Sequence, residues 1–320
     1  MMLPTLKALL AAMLLMAGSS IVVDGCSIRF SSKPEGELDL SITDAPVEYL
    51  EQVTIALTRV ELRQSDGSTQ RINTGPTNID NLLELQGEAS EQIVRRASLP
   101  AGDYDRLRLY FSNESGANRV VLRTGGEYPL LLPGQSLANL PEAYLEVRQN
   151  FSIPENERLR LTLDIDLLRG LVRPETAYYR LRPVLRLVDN SEVGVLYGDV
   201  VASRVDATDC DNDNAANDGR SIGNLVYLFS GHDATPGDIH LDQNGQPVGG
   251  DNPITVVPVR LDSLTGHYRY EAAFLPAGRY TLAFTCQGLS ERPNAEDQIR
   301  FDRRYNVTVS AGQRTRRNVE

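Results

Sequence analysis

Glu37-Leu38-Asp39-Leu40-Ser41-Ile42-Thr43-Asp44 and, a few residues later, Val53-Thr54-Ile55-Ala56-Leu57-Thr58-Arg59-Val60-Glu61-Leu62 decide the fold class. Both runs alternate polar and apolar residues with period two. In an extended chain that pattern sends successive side chains to opposite faces and buries one of them. The second run stops at the turn pair Asp66-Gly67. Further strands are predicted at Leu107–Phe111, Val120–Arg123, Tyr144–Phe151, Leu159–Ile165 and Tyr178–Val188, with short helical turns around Asn78–Leu85 and Leu167–Leu171. Gly, Pro and Asn turns separate these runs, which predicts an all-β chain of antiparallel β-sandwiches rather than alternating strands and helices.

A second block begins near residue 190. Val193–Val205 reads as extended and the Asp/Asn-rich Asp206–Asp218 as a loop. Asn224–Phe229, Ile254–Leu261, Tyr268–Phe274, Tyr280–Cys286 and Tyr305–Val309 read as strands. The predicted organisation is a leader over 1–25, a tether over 26–36, and two sandwich domains in tandem over 37–189 and 190–320. One echo links the halves: Leu99-Pro100-Ala101-Gly102-Asp103-Tyr104 and Leu275-Pro276-Ala277-Gly278-Arg279-Tyr280. In each, Pro-x-Gly makes a tight turn into a strand, with a tyrosine placed to pack across it.

Composition excludes several classes. In 320 residues, 41% are hydrophobic and 23% charged, and the 25 glycines and 17 prolines are dispersed, so the chain is neither collagen-like nor disordered. A net charge of −11 argues against a nucleic-acid partner, because phosphate binding needs clustered positive charge. Three histidines, without short His-x-x-x-His spacing, leave little for zinc or His-centred acid–base chemistry.

The N-terminus sets the expected address. Lys7 precedes the apolar run Ala8–Ala17 and the small residues Gly18-Ser19-Ser20. The run is too short to cross a bilayer and reads as the core of a signal peptide. Val23-Asp24-Gly25-Cys26 resembles a bacterial lipobox. The resemblance implies a mature N-terminus at Cys26 carrying acyl chains such as palmitate, and Ser27 after it implies sorting to the outer membrane. The membrane is then a partner through the anchor. Cleavage after Ser20 instead leaves Cys26 a spare thiol on a periplasmic or secreted protein. With Cys26 assigned to lipid, Cys210 and Cys286 remain as one pair, and an oxidising envelope favours a disulfide.

The first block also resembles an uncharacterised family of bacterial envelope lipoproteins, classed only as a domain of unknown function. The resemblance rests on Leu40-Ser41-Ile42-Thr43-Asp44-Ala45-Pro46, the strand Val53–Leu62, Ile79-Asp80-Asn81-Leu82-Leu83-Glu84-Leu85, the turn at Leu99, and Leu163-Asp164-Ile165-Asp166. It implies architecture and address, and no chemistry. Leu275–Phe284 resembles the turn and strand of small transthyretin-like or carboxypeptidase-regulatory-type sandwiches.

Asp209, Asp211 and Asp213 alternate in a flexible loop and are the metal candidates, for calcium. Asn214 and Arg220 stand where an EF-hand needs glycine and glutamate, so that motif is excluded. Asp44, Asp80, Asp164 and Asp166 sit beside apolar strand residues. Asp164 and Asp166, two apart on a strand, point to one face, as a hydrolytic carboxylate pair would require. No Gly-x-Ser-x-Gly elbow or phosphate-cradling glycine loop occurs. Arg303, Arg304, Arg314, Arg316 and Arg317 are candidates for anionic lipid or for protecting a sheet edge. The expected function is a non-enzymatic binding or structural module for an envelope protein or polysaccharide. The alternatives are a calcium-dependent adhesion module and a hydrolase using Asp164 and Asp166.

Overall fold

A computed structural model describes residues 34–320 apart from Pro46, Glu48 and 213–221; the leader, Cys26, most of the tether and Asp213 lie outside the described residues. Thirteen strands precede residue 190: β1 (Glu35–Ala45), β2 (Leu50–Gln64), β3 (Thr69–Ile79), β4 (Glu91–Pro100), β5 (Gly102–Phe111), β6 (Arg119–Leu122), β7 (Glu127–Leu131), β8 (Ala143–Val147), β9 (Phe151–Ile153), β10 (Arg158–Asp166), β11 (Leu171–Glu175), β12 (Tyr178–Leu181) and β13 (Leu185–Asp189). Eight follow: β14 (Val193–Val200), β15 (Leu225–Ser230), β16 (Thr255–Pro258), β17 (Arg260–Asp262), β18 (His267–Pro276), β19 (Gly278–Thr285), β20 (Arg303–Val309) and β21 (Arg314–Arg316). Among the described residues, helices are confined to single turns, α1 (Leu167–Gly170), α2 (Ala202–Val205) and two 3₁₀ turns. The chain is all-β, as predicted.

Four sheets result. In the first block, β13-β10-β1-β4 faces a nine-stranded sheet built on β11-β12-β7-β6-β2-β5-β8, with β3 on β2 and β9 on β5. In the second, β17-β18-β14-β21 faces β16-β15-β19-β20. The alternation seen in sequence fills the first core: Leu38, Leu40 and Ile42 of β1 pack with Ile55 and Leu57 of β2, Leu107 and Leu109 of β5, and Leu161 and Leu163 of β10. Leu196, Val226, Leu228, Leu282 and Phe284 fill the second. Residues 34–320 form one compact unit.

The echo in sequence marks a duplicated construction. In each sandwich the Pro-x-Gly turn carries the chain from one sheet to the facing one, β4 to β5 and β18 to β19. The tyrosine hydroxyl donates back to the carbonyl four residues upstream, Tyr104 to Pro100 at 2.7 Å and Tyr280 to Pro276 at 2.5 Å. The turn amide reaches the residue before the first strand, Ala101 to Pro34 and Ala277 to Glu192. The first strand of each also pairs parallel with a later strand of its own sheet, β1 with β10 and β14 with β21. A Cβ on Gly36 would strike the Pro154 carbonyl, and one on Gly194 the Ser310 carbonyl, so glycine is required at both equivalent places.

Several local expectations change. The sheets are not wholly antiparallel, since β1–β10, β14–β21 and β7–β12 pair parallel. Tyr178–Val188 is two strands in opposite sheets, because Pro183 cannot donate to a ladder. Tyr144–Phe151 likewise divides into β8 and β9, and Val193–Val205 ends at Val200 with α2 following. The turn predicted at Asn78–Leu85 is strand to Ile79 and then a 3₁₀ turn at Leu82–Glu84, capped by the Asn81 side chain on the Leu83 amide. The edge strand β3, which includes Pro76, and the bulged β4 bury too little apolar surface to show an alternation.

The predicted disulfide is present: Cys210 and Cys286, 76 residues apart, have Cα atoms 4.9 Å apart. Closing a loop of that length removes about 4.5 kcal/mol of unfolded-chain entropy.

Candidate functional site

The stretch from Leu163 to Arg186 builds the junction between the sandwiches. Ile165 is buried in the first core, so period two turns Asp164 and Asp166 to the opposite face of β10. That face meets the second sandwich, and both carboxylates are buried. A buried carboxylate is costly unless paired, and neighbouring arginines supply the pairing. Arg186 donates from Nη2 and Nε to Asp164 Oδ2 at 2.7 and 3.2 Å. Arg169 donates from Nε to Asp166 Oδ2 at 2.5 Å, and its amide donates to Asp166 Oδ1 at 2.9 Å, which makes Asp166 the N-cap of α1. Burial pushes the Asp164 carboxyl above its ordinary range, against the pull of Arg186.

The remaining guanidinium donors cross the junction. Arg169 reaches the carbonyls of Pro253 and Ile254, each at 2.8 Å, and Arg186 that of Phe274 at 3.0 Å. Phe274 has φ +51°, a left-handed conformation at a bulge in β18. Arg182 donates to the Asp242 carbonyl at 2.8 Å and the Arg169 carbonyl at 2.5 Å. Three arginines of one sandwich thus staple four backbone carbonyls of the other. The structure brings Asp164 and Asp166 to one face, as the sequence predicts, and sets them to orient guanidinium groups. Asp44 accepts from the Leu167 amide at 3.2 Å beside them, whereas Asp80 is exposed and apart.

Two cavities lie at this junction and share no lining residue. The first, about 530 Å³, is lined by Asp164 and Arg186 from one side and by β14, β18 and β21 residues from the other. Four of its arginines are paired with carboxylates: Arg186 with Asp164 at 2.7 Å, Arg269 with Asp262 and Asp199 at 2.5 and 3.3 Å, Arg316 with Asp199 at 2.5 Å, and Arg314 with Glu271 at 2.7 Å and with Glu88.

The second cavity, about 930 Å³, is a cleft with Leu168, Leu171, Leu225 and Leu241 in its walls. Tyr49, Val248 and Leu289, three of the large apolar side chains that the protein leaves exposed, also line it. Arg173, Arg180 and Arg182 enter from the β11–β12 hairpin and the residue after it. Arg182 is 4% exposed and its Nε has no hydrogen-bond partner. Arg180 makes two long hydrogen bonds, to the carbonyls of Leu132 (3.4 Å) and Gln135 (3.3 Å). Arg173 rests over the rings of Tyr128 and Tyr179 and donates to the Thr176 carbonyl. Among the described residues, no carboxylate hydrogen-bonds to any of the three, although the Asp242 carboxylate lies near Arg182.

Glu291 forms part of the cleft wall. Its Oε2 accepts from the Tyr227 hydroxyl at 2.6 Å and the Ile239 amide at 3.3 Å, while Oε1 is buried without a partner. Burial, with help from the nearby Asp238 and Asp297, pushes this carboxyl up to about 7, against the Tyr227 and Ile239 hydrogen bonds. Among the described residues, Asp238, Glu291 and Asp297 are the one group of three metal-capable side chains, with oxygens within 4.8 Å of one another. Asp297 is also held by Arg292 at 2.5 Å.

The sequence-predicted metal residues fall elsewhere. Asp209 pairs with Arg300 and Asp211 accepts from Ser290 Oγ, while Asp213 lies outside the described residues. His232, His240 and His267 lie on separate elements. Of the C-terminal arginines, Arg314 and Arg316 are engaged at the first cavity and Arg317 lies over Tyr305. Sequence reasoning missed Arg169, Arg182 and Arg186. The available signal was Arg180-Leu181-Arg182-Pro183-Val184-Leu185-Arg186, cations alternating with apolar residues downstream of the Asp-Ile-Asp pair.

The β11–β12 hairpin that brings Arg173, Arg180 and Arg182 to the cleft is the last part of a recognisable module. Residues 35–183 match the family model of DUF4382. The family is described as a domain of unknown function. The DUF4382 match ends at Pro183, before Arg186 and β13 complete the first sheet. Among solved structures, similarity extends to a leucine-rich repeat protein from Bacteroides thetaiotaomicron (12% identity, TM-score 0.21, 90% of this chain and 26% of that one). It also extends to the Bacillus anthracis TIE protein (11%, 0.18, 89% and 34%) and to GBS52, the minor pilin of Streptococcus agalactiae (13%, 0.19, 88% and 94%). The chain spans about a quarter and a third of the length of the first two. No curated protein matches it.

Proposed function

We propose that this protein is a non-enzymatic binding module of the bacterial envelope, held to the membrane by lipid on Cys26, in which the DUF4382 sandwich and the one after it present the cleft between them to a ligand. The observation that carries this reading is the division of labour at the junction. The carboxylates best placed for hydrolysis are engaged with Arg169 and Arg186, while the larger cleft keeps apolar side chains exposed. Binding sites are commonly concave and apolar with a few polar groups, and they often lie between domains. The anchor is supported by the lipobox-like Val23–Cys26 and by the pairing of the other two cysteines with each other.

An array of envelope polysaccharides, proteins and lipids tests the reading. At least one component should be retained by the protein and lost in Leu289→Arg, which fills the cleft mouth with charge. Turnover of a glycan substrate that disappears in Asp164→Asn would overturn the non-enzymatic reading. Mass spectrometry of the mature N-terminus should find acyl chains on Cys26, and an unmodified thiol there would remove the anchor.

A further inference from the structure

Resting on that reading of the cleft, we infer its ligand class: a monoanionic amphiphile, a carboxylate on an apolar chain. Three observations lead there. First, Arg182 is a buried guanidinium whose hydrogen bonds go only to carbonyls, and whose Nε has no partner. Only the nearby Asp242 carboxylate offsets its burial, with no carboxylate hydrogen-bonded to it, so an incoming anion that hydrogen-bonds to it relieves a remaining cost. Second, Arg180 and Arg173 face the same cleft without carboxylate partners, and the Arg180 hydrogen bonds, at 3.3 and 3.4 Å, are long enough to exchange readily for a charged acceptor. Third, the charge in excess is small. Arg292 is neutralised by Asp297, and the three remaining guanidiniums share the cleft with the carboxylates of Asp242 and of Glu291, the latter part-protonated near neutral pH, which leaves between one and two positive charges on a protein whose net charge is −11. A single carboxylate fits within that excess at every protonation state of Glu291, whereas a dianion exceeds it once Glu291 is ionised. Leu168, Leu171, Leu225 and Leu241, with Tyr49 and Leu289 at the mouth, supply the surface for an apolar chain.

Calorimetric titration of the full chain with octanoate, octanol and octylammonium tests this. Octanoate should bind about tenfold or more tighter than octanol, the margin of a charge-assisted hydrogen bond, and octylammonium should bind weakest. Arg180→Gln and Arg182→Gln should each erase most of the octanoate advantage and leave octanol unchanged. Should Arg182→Gln fail to fold, the half-buried Arg180→Gln carries the test. Absence of octanoate binding, or octanoate binding unchanged in a folded Arg180→Gln, overturns the inference. Equal binding of all three compounds overturns it too, while leaving the cleft a binding site.

Discussion

The two cavities at the junction are built from the same kinds of residue to opposite effect. In the smaller, Arg186, Arg269, Arg314 and Arg316 each meet a carboxylate of their own sandwich, and Arg314 also reaches Glu88 across the junction. In the larger, Arg173, Arg180 and Arg182 meet carbonyls and aromatic faces, and apolar side chains remain in contact with solvent. An arginine-rich pocket is therefore not in itself a binding site. What distinguishes one is whether the protein has already bound carboxylates directly to its guanidinium groups.

The sharpest way to break this comparison is to remove one staple. Asp164→Ala strands Arg186 in the smaller cavity, and it should lower the free energy of unfolding by about 3–5 kcal/mol in urea titrations. Arg173→Ala, which has no such partner, should cost within about 1 kcal/mol. Similar losses for both would mean that the two cavities do not differ in the way described.

The next effect is pH dependence at Glu291. Its carboxyl titrates near 7 in the folded protein and near its ordinary value when unfolded, so the folded state binds the extra proton between those values. Stability from this group is fully present below about pH 4.5 and declines as pH rises to 7, by at most about 3 kcal/mol. Glu291→Gln should flatten urea-measured stability across that window. The same protonation makes the cleft more positive, so octanoate affinity should rise as pH falls from 7.5 to 6.

The smallest effect tests the duplicated turn. Tyr104→Phe and Tyr280→Phe each delete one hydroxyl bond to a carbonyl and should each cost about 1 kcal/mol. Thermal unfolding should show the two losses to be alike, and a several-fold difference would deny the turns a common structural role.

Much of the fold was legible because strands with one buried face write their geometry as alternation. Leu38-Leu40-Ile42 and Leu107-Leu109 identify themselves in this way. The edge strand β3 and the bulged β4 did not, since neither carries a continuous apolar face. The disulfide was legible by counting cysteines. Asp164 and Asp166 were correctly placed on one face, yet their role was not, because the arginines that engage them come from positions 3 and 22 residues away in sequence.

The sequence by itself determined the all-β class, the matching Pro-x-Gly turns and the Cys210–Cys286 pair, all of which depend on local periodicity, backbone preference or residue count. Only the tertiary structure decided that the acidic pair holds a junction, that Asp238, Glu291 and Asp297 converge, and that three arginines share a cleft with no carboxylate hydrogen-bonded to them. Those properties depend on distances between segments far apart in the chain, and a guanidinium looks the same in sequence whether or not a carboxylate is waiting for it.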